Sequence, residues 1–112
     1  MIEEGYADSI GPLQRGPFVI AGRAVVGQWG LIPHGSKTRK PTRLDGAPIS
    51  TNNCRSETVA TAWSFRGPWA RGQRCLIPAL DYDEPYWGTG KNTWWRFARA
   101  DGQPWALAGI WS

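Results

Sequence analysis

The chain has 112 residues, room for one hydrophobic core and too few for two independently cored domains. Apolar residues make up 41% and charged residues 20%, a globular balance that excludes a disordered chain, and no run nears the roughly 18 apolar residues of a membrane span. Thirteen Lys and Arg against nine Asp and Glu give a net charge of +4, which favours an acidic partner.

The start, Met1-Ile2-Glu3-Glu4, lacks the basic region of a secretory signal, so the expectation is a soluble protein of the cytoplasm. Residues 1–22 carry Gly5, Gly11, Pro12, Gly16, Pro17 and Gly22 with little periodicity, which predicts an irregular lead-in. Arg23 to Leu31, RAVVGQWGL, is β-branched and aromatic between glycines and predicts a strand. Residues 34–48 are polar and turn-rich, with Lys37, Arg39, Lys40 and Arg43 inside seven residues, and read as an exposed, mobile basic loop. Arg55 to Arg66, RSETVATAWSFR, places Thr58, Ala62 and Phe65 at helical offsets and predicts a short helix ended by Gly67-Pro68. Gln73 to Leu80 reads as an apolar strand that ends or bulges at Pro78. Asp81 to Trp87 and Thr93 to Arg99 flank a glycine-rich turn and read as a hairpin, and Asp101-Gly102 turns the chain into a last strand, Trp105 to Trp111. The expected class is a single α+β domain, β-rich and mostly antiparallel, with one or two short helices.

Cys54 and Cys75 form no disulfide framework, and one histidine with no close cysteine pair offers no metal set, so neither metal nor cofactor is expected. Asp81, Asp83 and Glu84 follow an apolar strand, where partial desolvation raises a carboxyl pKa and suits it to proton transfer; solvated turn residues are the plainer reading. Asn53 and Arg55, two apart, share a face of an extended segment and suit a phosphate or sugar oxygen, although structural hydrogen bonding explains them equally well. His34, in a loop after a proline, reads as solvated, and Cys54 as a small packed thiol rather than a nucleophile. Eight tryptophans exceed what a core of this size needs, so some face a partner: unpaired bases, with the basic residues meeting phosphates, or sugars.

Five ordered blocks, WGLIP at Trp29–Pro33, NNCRSET at Asn52–Thr58, RCLIPA at Arg74–Ala79, Glu84 five residues after Ala79, and GQPWALAGIW at Gly102–Trp111, resemble the SRAP domain, the SOS-response-associated peptidase family. The resemblance implies a DNA-damage protein that binds single-stranded DNA at abasic sites. In that family an N-terminal cysteine, exposed when the initiator methionine is removed, closes a thiazolidine crosslink with the ring-opened sugar. The family's asparagine maps onto Asn53, which would hold the opened sugar. Its arginine maps onto Arg55, at the adjacent phosphate, and its glutamate onto Glu84 as proton shuttle.

Residue 2 is Ile2, and an internal Cys54 or Cys75 has no free α-amine with which to close that ring. The family's histidine lies in its second half, and His34 does not replace it. The expectation is therefore a chain inactive alone, resembling the front half of the family. A last strand that is central in its sheet would leave its groups unpaired unless a second polypeptide or a missing C-terminal half covers it. Two other readings stand beside this one: a noncatalytic single-stranded-DNA-binding module or partner subunit that uses Arg55 and the basic loop, and a tryptophan-rich sugar-binding domain.

Overall fold

The structure, a computed structural model, describes residues 6–112; the expectation attached to Ile2 lies outside the described residues. Among the described residues, six strands and one short helix follow in the order β1 (Arg15–Ile20), β2 (Arg23–Gln28), α1 (Arg66–Ala70), β3 (Arg74–Ala79), β4 (Asp81–Tyr86), β5 (Thr93–Ala98) and β6 (Trp105–Ile110). They form a four-stranded sheet in the order β2-β1-β3-β6 and a separate two-stranded ribbon, β4-β5, with every neighbouring pair antiparallel. The β-rich antiparallel class expected from the sequence is the one observed.

The lead-in is more ordered than its glycines and prolines imply. Arg15 to Ile20 is a strand whose register with β2 runs from Arg15 opposite Gln28 to Ile20 opposite Arg23. Ala21 and Gly22 close the hairpin with φ of 48° and 78°, the two positive values that a right-twisted two-residue turn requires. Gly16 faces Gly27 across the pair, and the Phe18 ring covers Gly27 so closely that an added Cβ would lie 2.7 Å from it.

The predicted helix is displaced. Residues 56–65 wind through successive turns, Thr58 N–H to the Arg55 carbonyl, Ala62 N–H to Thr58 and Phe65 N–H to Ala62, and the helix begins only at Arg66. Gly67-Pro68 therefore opens the helix instead of ending it. A proline fits there because first-turn N–H groups have no intrahelical acceptor. The helix ends at Gly72, φ 68°, where Gln73 N–H reaches the Pro68 carbonyl and Gly72 N–H reaches Trp69.

Two strand expectations also change. β3 runs through Pro78 without a bulge, in continuous register with β6 from Arg74 opposite Ile110 to Ala79 opposite Trp105. Its other neighbour, β1, meets it at Val19 opposite Leu76, so the missing proline N–H removes no bond on that side. β6 is an edge strand of its sheet, not a central one.

The buried apolar residues are few: Leu31, Val59 and Phe65, with Ala62 and Ile110 packed against them. A radius of gyration of 15.2 Å exceeds the about 13 Å of a compact chain this long. Because Ala21 occupies a left-handed conformation that costs an L-residue roughly 1–2 kcal/mol, Ala21→Asn should raise stability by about 0.5–1 kcal/mol. Gly27→Ala should lower it by about 1–3 kcal/mol through the Phe18 ring. Thermal melts of both variants check these signs.

Candidate functional site

The segment that carries Asn53 and Arg55 is held from one side. Thr51, 6% exposed, donates its hydroxyl to the Leu31 carbonyl at 2.7 Å, and Leu31 N–H returns a bond to the Thr51 carbonyl at 3.2 Å. One residue on, the Trp29 indole N–H donates to the Asn52 carbonyl at 2.7 Å. The WGLIP block and the NNCRSET block thus lie against each other, although 20 residues separate the bonded pair Leu31 and Thr51.

Beyond this anchor the chain turns outward. Asn53, Cys54 and Arg55 are exposed, and among the described residues neither the Asn53 amide nor the Arg55 guanidinium has a hydrogen-bond partner or ion pair. The segment is irregular, without the regular strand pairing that would fix both side chains on one face. Partial desolvation pushes the Cys54 thiol pKa above its ordinary value, the opposite of activation by Arg55. Cys75 is raised for the same reason.

Glu84 lies elsewhere, on the β4-β5 ribbon. Residues directly opposite share a face, so Tyr82, Glu84 and Tyr86 of β4 stand with Phe97, Trp95 and Thr93 of β5, and Asp81, Asp83 and Pro85 stand with Ala98, Arg96 and Trp94 on the reverse. On the first face the rings run in sequence: Tyr86 against Trp95 at 4.4 Å between centroids, Trp95 against Phe97 at 6.5 Å, Phe97 against Tyr82 at 5.4 Å and Tyr82 edge-on to Trp105 at 5.6 Å. On the reverse, Arg96 bonds Asp83 at 3.0 Å and lies 3.8 Å from Asp81.

The ribbon thus separates three acids that the sequence left grouped. Asp81 and Asp83 are occupied by Arg96, and Glu84 stands among aromatic rings with no ion pair among the described residues. The desolvation expected to raise these carboxyls does not decide Asp83: hydrogen bonding to Arg96 lowers its pKa. No hydrogen bond or ion pair joins Glu84 to the Asn53–Arg55 segment among the described residues.

The basic loop divides as well. The Arg39 guanidinium donates to the Leu13 carbonyl at 3.3 Å and to Gln28 Oε1 at 3.2 Å, and Gln28 Nε2 donates to the Arg39 carbonyl at 2.8 Å. Arg39 thus fastens the loop to the first hairpin. Thr42 bridges to Pro48, and Arg43 N–H donates to the Ala47 carbonyl, so the loop is internally bonded. Lys37, Lys40 and Arg43 are exposed, and their side chains have no ion pair among the described residues. Trp29 opens the WGLIP block, whereas Gln28, which holds Arg39, carried no charge or motif spacing to single it out. His34 is exposed, as expected.

Residues 8–112 match the profile of the SOS response associated peptidase (SRAP) family, nearly the whole chain. The chain belongs to the SRAP family. Over 57 residues it is 38% identical to the abasic site processing protein HMCES of Rattus norvegicus and 35% identical to that of Gallus gallus. Those matches cover 51% of this chain and 15% and 16% of the relatives. A crystal structure of a Bordetella bronchiseptica protein, 36% identical, superposes with a TM-score of 0.75 over 96% of this chain and 53% of that one. The SRAP chain described here therefore spans about half the length of that solved relative. No helix among its described residues is long and apolar enough to cross a membrane.

The Asp83–Arg96 bond has a pH signature. A carboxyl whose pKa is lower folded than unfolded contributes stability at neutral pH and loses it as pH falls through the depressed value. Asp83→Asn should therefore lower the melting temperature slightly at neutral pH and low salt, and the gap to the parent should close in strong acid. Melts across a pH series check this.

Proposed function

We propose that this SRAP chain recognises abasic sites in single-stranded DNA. The observation that carries the reading is the Asn53-Cys54-Arg55 segment: its backbone is anchored through Thr51 and Asn52, while the amide and guanidinium on it face solvent without partners. Fixed backbone with unengaged polar side chains is the arrangement a binding site needs, because the ligand then meets groups that need not be freed first. Arg55 takes a phosphate, where a planar guanidinium can make two parallel bonds. Asn53 takes the oxygens of a sugar that has lost its base. Lys37, Lys40 and Arg43 add attraction to neighbouring phosphates that does not depend on sequence.

Cys54 and Cys75 have raised thiol pKa values, and neither joins a free α-amine to its thiol. Binding at an abasic site through Asn53 and Arg55 is the reading, and the HMCES relatives are named abasic site processing proteins. The sugar-binding alternative leaves the exposed Arg55 and the three loop cations without a role.

Fluorescence anisotropy with single-stranded DNA, one strand abasic and one intact, tests this. The parent should prefer the abasic strand, with affinity that falls steeply with salt. Arg55→Ala should weaken both strands and reduce the salt slope by about one contact. Asn53→Ala should remove the preference while leaving the slope. Equal affinity for the two strands would overturn the abasic-site reading, and no binding at low salt would overturn the DNA reading altogether.

A further inference from the structure

Two of the eight tryptophans stand in a stretch that carries arginine and no acid: from Thr58 to Leu80 the chain has Arg66, Arg71 and Arg74 and neither Asp nor Glu. A three-residue spacing sorts this stretch into two sides. Ala62, Phe65 and Pro68 pack inward, and the residue after each of them, Trp63, Arg66 and Trp69, is exposed. Trp63 is 56% exposed and Trp69 36%.

The three arginines are exposed, and none is ion-paired to a carboxylate among the described residues. Arg74 lies over the Trp69 ring, 3.9 Å from its centroid, where the electron-rich face steadies the cation without using its N–H groups. Arg71 donates from Nε to Gln73 Oε1 at 2.6 Å, and its guanidinium folds back over Gly67, where an added Cβ would lie 3.1 Å from it. The Arg66 side chain has no hydrogen bond among the described residues. Backbone bonds lead from the candidate site to this patch in succession: Thr58 N–H to the Arg55 carbonyl, Ala62 N–H to that of Thr58 and Arg66 N–H to that of Ala62.

The pairing of exposed indoles with unopposed guanidiniums selects the partner. An acidic peptide would meet the arginines and leave Trp63 idle, and duplex DNA offers phosphates but keeps its base faces stacked inside. A second copy of the chain, net charge +4, would bring the same cations against these. A single strand uses both kinds of group, since every base has a face for an indole and every linkage a charge for a guanidinium.

We infer that Trp63, Arg66, Arg71 and Arg74 form a second contact surface for single-stranded DNA, which engages nucleotides flanking the one held at Asn53 and Arg55. A base stacks on Trp63, Arg66 and Arg71 attract neighbouring phosphates, and Arg74, already set in place by Trp69, bonds one of them. The inference rests on the DNA reading given above for its partner, and not on the preference for abasic sites.

Fluorescence anisotropy at low salt tests it, comparing strands of about five nucleotides with strands of about fifteen, lengthened on the 5′ or the 3′ side, each made intact and abasic. Lengthening on one side should tighten binding about tenfold or more. Trp63→Ala should weaken the long strand about tenfold and leave the short one unchanged, which also reports an intact fold. Arg74→Gln should weaken the long strand and lower its salt slope by about one contact. Lys91→Gln, which removes a cation from the turn between β4 and β5, should change neither. A gain from length without abasic preference would overturn the Asn53 reading and uphold this one, and abasic preference without a gain from length would do the reverse. Equal weakening of short and long strands by Trp63→Ala, or a loss with Arg74→Gln and none with Trp63→Ala, would also overturn the inference.

Discussion

Three hydrogen bonds between Trp29–Leu31 and Thr51–Asn52 hold the rest of the arrangement in place. They join two stretches that are far apart in the chain, and the loop between them carries Lys37, Arg39, Lys40 and Arg43. Leu31 is itself one of the few buried apolar residues and packs with Val59 and Phe65, so the anchor and the core are the same structure. In a chain with so little burial, the net of about 1 kcal/mol that a typical hydrogen bond contributes is a larger share of stability than in a fully cored domain. Thr51 is the most sensitive of these groups, because it is buried, and replacing its hydroxyl leaves the Leu31 carbonyl without that donor.

The ribbon works by a different principle. Two-residue periodicity gives it one ionic face, where Arg96 holds the aspartates, and one aromatic face, where Glu84 stands. The ionic face is exposed and contributes little to folding beyond local order. The aromatic face is where the SRAP chain keeps its unspent contact area, and Glu84 is the one charge within it.

Much of this was legible in the sequence, for reasons particular residues make plain. The ribbon, β3 and β6 were readable because β-branched and aromatic residues stood between unmistakable turns. β1 was not, because Gly16 and Pro17 look like loop residues when the strand across from them is unknown; only Gly27 and Phe18 together show why a glycine belongs there. The helix was placed too early because Ala62 and Phe65 have helical spacing for a reason that turns also satisfy: with Val59 they pack around Leu31, while Thr58 is exposed. At the site, the family blocks marked Asn53, Arg55 and Glu84. No pattern in the chain could have shown that Arg39 is taken up by Leu13 and Gln28, since that depends on where a distant loop returns.

The Arg39 clasp has an entropic consequence. A free fifteen-residue loop bearing cations would have to surrender many backbone conformations each time an anion engaged it. Here the guanidinium, the Gln28 amide and the Thr42–Pro48 bridge have already restricted those conformations before any encounter. Arg39 stays exposed while its guanidinium is engaged, so less chain remains to be reordered when an anion meets Lys37, Lys40 or Arg43.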